Sequence, residues 1–387
     1  MMAYTYAILG SGMQGTAAAY DLAKHGDAAR ILMGDRDLAC AERNAARVNT
    51  LVGKAVCEPV FVDALVETSL RQFLSPVDVV LSCVPYWMHP LVAPIAINTA
   101  TSMVDMGGDT EVTFKTLALD EAAKAAKVSI VPDTGLAPGL VNSLATHLMA
   151  RFDEVLDVRL YCGGLPQNPK PPFNYKLVFN IEGLVAEYTD PAFAVRDYKL
   201  ARPDALSDLE PLQWEGLGEM EAFVTSGGTS TAPLTFEGKV RTYEYKTIRF
   251  PGHCEKMRLF SDCGFWSQEP IEVDGHKVRP RELWHRIMAE RLRDDEDKDQ
   301  VLVRAVVTGK KDGKEREAKI EIHDQHDDAT GFSAMERMTG FPTAIIAAEV
   351  ARGAVDRGCI RYELAVPGER VVDGLRERGI AMRESKG

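Results

Sequence analysis

The stretch Tyr4-Thr5-Tyr6-Ala7-Ile8-Leu9-Gly10-Ser11-Gly12-Met13-Gln14-Gly15 decides the fold. An apolar run ends in Gly-x-Gly-x-x-Gly, and an Ala-rich segment of helical spacing follows. Each glycine has its own task. Gly10 permits a tight turn, Gly12 lets the backbone approach a pyrophosphate, and Gly15 lets helix and strand pack closely. The helix start, which takes in Ser11, Met13 and Gln14, presents free N–H groups and a positive dipole end to phosphates. The motif alone is weak. The strand before it, the helix after it and Asp35, 20 residues past Gly15, make it a dinucleotide loop. A carboxylate at that place accepts ribose hydroxyls and repels a 2′-phosphate, so NAD is expected over NADP. Arg36 beside it either stacks on adenine or binds a 2′-phosphate.

The pattern continues outward as alternating strands and helices. Expected strands are Tyr4–Leu9, Arg30–Gly34, Val56–Val62, Asp78–Cys83, Ser102–Asp105 and Val128–Val131. Expected helices between them are Gln14–Lys24, Leu38–Val48, Ser69–Leu74, His89–Asn98 and Glu111–Ala126. This alternation predicts an α/β fold, a Rossmann domain with a doubly wound parallel sheet over residues 1–136. Asp63 ends the third strand and either contacts the adenine amine or caps a helix. Cys83-Val84-Pro85 and Asp105, after the fourth strand and at the end of the fifth, complete the expected cofactor contacts.

The texture changes after Pro132. Residues 137–334 read as a second, α+β domain with a mixed or antiparallel sheet. Thr242–Phe250 alternates strictly, with Tyr243, Tyr245, Thr247 and Arg249 on one face and Glu244, Lys246 and Ile248 on the other. Val301–Thr308 and Glu315–Ile322 read as a hairpin turning at Asp312-Gly313. Pro280–Leu292 reads as a surface helix, and Arg291–Asp299 and His323–Asp328 as solvated loops. Thr343–Val355 is too apolar a helix to stand free, and a returning segment of about 335–387 is expected to complete the Rossmann domain.

Composition narrows the function classes. A chain of 387 residues needs two domains. A net charge of −12 argues against general nucleic-acid or anionic-membrane binding. No run approaches the ~20 apolar residues of a membrane span, and a strand pattern begins within the first few residues where a secretory signal would lie. Seven scattered cysteines without C-x-x-C spacing fit free thiols in a reducing cytoplasm. The eight histidines form no compact ligand set, so no metal is expected.

A further set of segments carries a family resemblance. They are Val104-Asp105-Met106-Gly107-Gly108, Asp133-Thr134-Gly135-Leu136-Ala137-Pro138-Gly139-Leu140, Gly163-Gly164-Leu165-Pro166, Asn174-Tyr175-Lys176, Ile181-Glu182-Gly183-Leu184 and Lys246-Thr247-Ile248-Arg249-Phe250-Pro251-Gly252-His253. In this order, over nearly the whole chain, they resemble the saccharopine dehydrogenase-like family, most closely its lysine 6-dehydrogenase branch. The resemblance implies an NAD-dependent oxidation at a C–N bond and homodimers, or larger homo-oligomers, paired through the second domain. For the branch it implies oxidative deamination of L-lysine at the ε-carbon, with release of ammonia and cyclisation of the semialdehyde. Saccharopine reductases typically carry G-L-D-P-G at the junction. Ala137 stands in place of that carboxylate and counts against saccharopine.

Such chemistry sets three tasks. A guanidinium suits the α-carboxylate, and Arg249, mid-strand among aromatics, is the choice, with Tyr175 and Lys246 as further substrate contacts. Only a neutral amine releases hydride readily, so a base is required; Asp133, His253, Lys176 and Glu182 are the candidates. An acidic partner for the ammonium comes from Glu182, Glu219 or Glu221. The alternatives are a saccharopine dehydrogenase, a carboxyspermidine-type reductase, or an NAD(H)-binding sensor without turnover.

Overall fold

The computed structural model describes residues 3–75 and 77–385. Six apolar segments of the N-terminal part pair in parallel: β1 (Tyr4–Leu9), β2 (Ala28–Asp35), β3 (Cys57–Phe61), β4 (Val79–Ser82), β5 (Ser102–Asp105) and β6 (Ser129–Val131). Tyr6–Leu9 of β1 and all of β4 and β5 are buried, as strands covered by helices on both faces must be. The strand order is β3-β2-β1-β4-β5-β6, so the chain reverses its winding between β1 and β4. The loops after these two strands part there and leave a crevice at their carboxyl ends. The expected helix over Glu111–Ala126 is two helices, Thr110–Leu117 and Asp120–Ala126.

The second sheet is mixed. It contains β7 (Glu154–Pro166), β8 (Ala194–Arg196), β9 (Lys199–Ala201), β10 (Glu210–Trp214), β11 (Gly218–Val224) and β12 (Thr242–Arg249). A small hairpin, β13 (Ile271–Val273) with β14 (His276–Val278), stands apart, and β15 (Asp299–Lys311) and β16 (Lys314–Gln325) follow. The path runs β10-β11-β12-β7-β15-β16, with β12 and β7 parallel and the other neighbours on that path antiparallel. The β15–β16 hairpin turns at Asp312-Gly313, with Lys311 opposite Lys314. It is longer than expected at its open end, which takes Asp299 and His323–Gln325 out of the two expected loops and leaves most of the rest of each as loop. Asp299 lies inside β15, buried, and its carboxylate accepts from the Ala334 and Met335 amides at 2.8 and 2.9 Å. His323 lies inside β16 and meets Gln300 Oε1 at 2.7 Å. In both cases acidic or basic letters hide strand residues whose polar groups are paired, Asp299 with the start of a helix and His323 across the sheet.

The long apolar helix is Ala334–Ala351, starting well before the expected Thr343. A reciprocal capping box fixes its start: Ser333 accepts from the Glu336 amide and Glu336 accepts from the Ser333 amide. It packs on the helix Met13–His25, and a side chain on Gly340 would sit 2.9 Å from Ala17, Ala18 and Gln14. The rest of the C-terminal segment divides. β17 (Gly358–Cys359) extends the parallel sheet beyond β6, whereas β18 (Met382–Ser385) pairs with β16 of the second sheet. Among the described residues no helix is long and apolar enough to cross a membrane, and no group of side chains is arranged to hold a metal.

Candidate active site

The glycine loop has the geometry its spacing requires. Gly10 takes φ +100°, and a Cβ there would lie 2.8 Å from the Cys83 carbonyl oxygen. A Cβ on Gly15 would strike the Gly10 carbonyl at 2.2 Å, so helix and loop touch only because it is absent. Around Gly12, by contrast, nothing lies within 4 Å of that position. The helix Met13–His25 begins there with no side-chain cap. This open cradle at an uncapped helix start fits a pyrophosphate. Asp35 is tied to it: its carboxylate accepts from the Ser11 amide and from the Asp37 amide, both at 2.9 Å. Arg36 is exposed. Asp63 folds back on its own turn, accepting from the Leu65 amide at 2.9 Å.

Two buried carboxylates stand at the ends of β5 and just past β6. Asp105 accepts from the amides of Gly107 and Asp133 at 2.9 and 3.0 Å. Asp133, 1% exposed, takes φ +65°. Its Oδ2 accepts from Thr113 Oγ1 at 2.8 Å and from Ser230 Oγ, so it joins the parallel-sheet domain to the second domain. Burial, reinforced by the Asp105 charge, pushes the Asp133 carboxyl up to about 7. Cys83, just past β4, has its thiol raised by burial and by Asp105 and is no thiolate.

The second domain contributes a polar cluster within an aromatic shell. Asn180 caps the helix Ile181–Thr189 by accepting from the Gly183 amide at 2.6 Å. That helix carries Glu187 and Tyr188 side by side. The Tyr188 hydroxyl lies 3.1 Å from Arg249 Nε and 3.1 Å from His253 Nε2. Arginine only donates, so Tyr188 accepts from it and passes its own hydrogen to His253 Nε2; His253 Nδ1 then donates to the Phe173 carbonyl at 3.4 Å. Burial, with Arg249 nearby, pushes the His253 pKa down to about 3, in keeping with a neutral ring. Arg249 Nη1 donates to the Ile248 carbonyl at 3.0 Å, and the guanidinium stands over the Tyr175 ring at 4.9 Å. Arg249 Nη2 faces Glu187 Oε2 at 3.7 Å. Burial pushes the Glu187 carboxyl up to about 7 against the opposing pull of Arg249.

Of the substrate and base candidates, the fold brings Arg249, Tyr175 and His253 together and leaves others out. Lys246 points to the opposite face of β12, where Nζ donates to the Asp208 carbonyl at 2.8 Å and meets Glu210 at 3.1 Å. The two-residue period of the strand separates it from Arg249. Lys176 is bound to the Asp297 carbonyl. Glu182 is exposed at the start of its helix. Glu221 caps the helix His253–Asp262, accepting from the amides of Gly252 and Cys254 at 2.8 and 2.6 Å, and is not free for an ammonium. Glu219 is exposed. The residues missed were Glu187 and Tyr188. The spacing of Leu184, Val185 and Tyr188 behind Asn180 marks a helix whose apolar face turns inward, and that signal extends past Ile181-Glu182-Gly183-Leu184.

Comparison with known proteins agrees with this architecture. The saccharopine dehydrogenase NADP binding domain matches residues 6–131, and the saccharopine dehydrogenase C-terminal domain matches residues 135–380. The chain belongs to the saccharopine dehydrogenase family, with an NAD(P)-binding N-terminal domain. It is 24% identical over 256 residues to mitochondrial alpha-aminoadipic semialdehyde synthase of Rattus norvegicus, covering 63% of this chain and 26% of that protein. It is 25% identical over 224 residues to saccharopine dehydrogenase [NADP(+), L-glutamate-forming] of Pyricularia oryzae, covering 54% of this chain and 48% of that one. The chain thus matches about a quarter to a half of the length of these relatives. Its fold is that of apo saccharopine dehydrogenase (L-Glu forming) from Saccharomyces cerevisiae, with a TM-score of 0.77, 19% identity and 99% and 100% of the two chains covered. Homospermidine synthase from Legionella pneumophila, in complex with NAD, shares it at a TM-score of 0.67, with 11% identity and 100% and 92% covered.

Proposed function

We propose that this protein is an NAD-dependent dehydrogenase that deaminates L-lysine at its ε-carbon. The observation that carries the reading is the charge of the cleft. Arg249 is the one guanidinium of the polar cluster, and Glu187 opposes it. Around Tyr86, where the two domains face each other, Glu182, Asp109 and Asp190 stand against Arg281, with Arg202 also near Asp190. Lysine brings one carboxylate and two ammonium groups, which suits a cleft in which carboxylates outnumber guanidiniums. Saccharopine brings three carboxylates and would need more cations. Ala137, in the turn that packs Pro138 against Gly107 beside Asp133, adds no charge of either sign.

In this reading Arg249 holds the α-carboxylate and Asp133 is the base, since its pKa of about 7 lets it both take and return a proton near neutrality. His253 is too firmly neutral, and Lys176 too firmly bonded, to share that work. The overall change balances: lysine, NAD+ and water give the semialdehyde, ammonium, NADH and a proton. The nicotinamide, when bound, takes the hydride. Asp35 favours NAD over NADP by placing a carboxylate where a 2′-phosphate would lie. A homodimer through the second sheet and a cytoplasmic location belong to the same proposal. A second reading, oxidation of saccharopine or a related secondary amine, is favoured by the names of the relatives and by the fold shared with saccharopine dehydrogenase.

The test follows NADH appearance with NAD and either L-lysine or saccharopine. NADH and ammonia from lysine support the first reading, activity on saccharopine alone establishes the second, and binding of NADH without turnover of either points to a sensor. Asp35→Ala is expected to weaken NAD at least tenfold, about 1.4 kcal/mol, and NADP much less. Unchanged NAD affinity removes Asp35 from the ribose.

A further inference from the structure

Arg249 is buried to 3% of its side chain, yet its hydrogen bonds are incomplete. Nε and Nη1 are engaged with Tyr188 and the Ile248 carbonyl. Among the described residues Nη2 has only Glu187, at 3.7 Å, too far for a hydrogen bond. Glu187 is itself 31% exposed. A third group is also unfinished. Tyr175 is 6% exposed, its hydroxyl has no hydrogen-bond partner among the described residues, and its environment includes the charges of Arg249 and Glu187. A buried hydroxyl without a partner calls for an explanation. Here a cation, an anion and an orphaned hydroxyl lie together, each with bonding capacity left over.

We propose that Arg249, Tyr175 and Glu187 form a receptor for the head group of an α-amino acid, with Glu187 binding the α-ammonium. The ligand's carboxylate takes Arg249 Nη2 and the Tyr175 hydroxyl, and its ammonium, one carbon away, takes the Glu187 carboxylate. The Arg249–Glu187 pair, opened to 3.7 Å, presents its two charges side by side, as a zwitterion presents its carboxylate and ammonium. The inference rests on the proposed lysine chemistry and deepens it: a head group held by both charges leaves the far end of the side chain as the reacting end. Glu187 then sets specificity and is not the base. Its carboxyl, raised toward neutrality in the free protein, is ionised by the arriving ammonium.

Calorimetry on the protein with NADH bound, comparing L-lysine with 6-aminohexanoate, which lacks only the α-amine, tests this without requiring turnover. The wild type is expected to bind lysine at least about tenfold more tightly, the scale of one charged hydrogen bond. Glu187→Gln is expected to bring the two ligands within about twofold by weakening lysine alone, and Glu187→Asp to restore part of the preference, which a merely misfolded variant would not do. Equal affinities in the wild type, no binding of lysine, or equal weakening of both ligands by Glu187→Gln overturns the receptor. Selective binding without NADH formation from lysine leaves the receptor standing and removes the deamination reading.

Discussion

Two buried arginines of this molecule are bonded in opposite ways. Arg378 follows the helix Gly368–Glu377 and reaches Asp21 on the helix Met13–His25. Its Nε and Nη2 meet the two Asp21 oxygens at 2.5 and 2.7 Å, and Nη1 meets the Gly374 carbonyl at 2.8 Å. Every edge of that guanidinium is used, with the two side chains 6% and 2% exposed. Arg249 is as deeply buried but holds its carboxylate at 3.7 Å. A buried ion pair repays its desolvation only with close geometry and satisfied donors. Arg378 meets that condition by itself and is a clamp between the C-terminal segment and the first helix. Arg249 does not, and its unspent donor marks a place for a ligand.

Removing the clamp should have the largest effect. Arg378→Met leaves Asp21 buried without its cation and should cost about 3–5 kcal/mol in urea unfolding. Arg249→Met should cost less stability, because Glu187 reaches water, and should instead raise the Michaelis constant for the amino acid about 10- to 100-fold, or ~1.5–3 kcal/mol. Equal stability losses would make Arg249 a second clamp.

A smaller effect is expected from Tyr188→Phe, which removes the hydroxyl that aims Arg249. A rise of about fivefold in the Michaelis constant, near 1 kcal/mol, with little change in kcat, would mark Tyr188 as a positioning residue. A fall in kcat instead would place its hydroxyl in the proton chemistry. A signal of similar size is expected in pH. Glu187 has a raised pKa of about 7, so its ionised, ammonium-binding form is present above that pH and lost below it. Lysine affinity of the NADH complex should fall about fivefold more from pH 7 to 6 in the wild type than in Glu187→Gln, where Asp133, also near 7, is left to titrate. The groups facing Glu187 are Arg249, Tyr175, Tyr188, Tyr245 and Cys162. None of the five titrates in that window.

The same contrast separates what was legible in the chain from what was not. Arg249 could be singled out because an arginine mid-strand among aromatics is unusual. Arg378, in a charged C-terminal stretch, carries no such signal, and only the packing of two distant helices reveals its role. Glu187 was missed because one glutamate in a helix looks like any solvated glutamate until the fold sets it beside Arg249. His253 looked like a base from its intrinsic pKa, and burial beside a cation removed that property. Asp133 gained the property for the converse reason, since burial beside Asp105 raises an acid.

By itself the sequence determined the local geometry: the glycine turn, the strand and helix periods and the Asp312-Gly313 turn. These follow from backbone sterics and hydrogen bonds over a few residues, which the letters specify directly. Only the tertiary structure decided which carboxylates are desolvated, which arginine is clamped and which is left open. Those properties depend on the dielectric and partners supplied by residues far away in the chain.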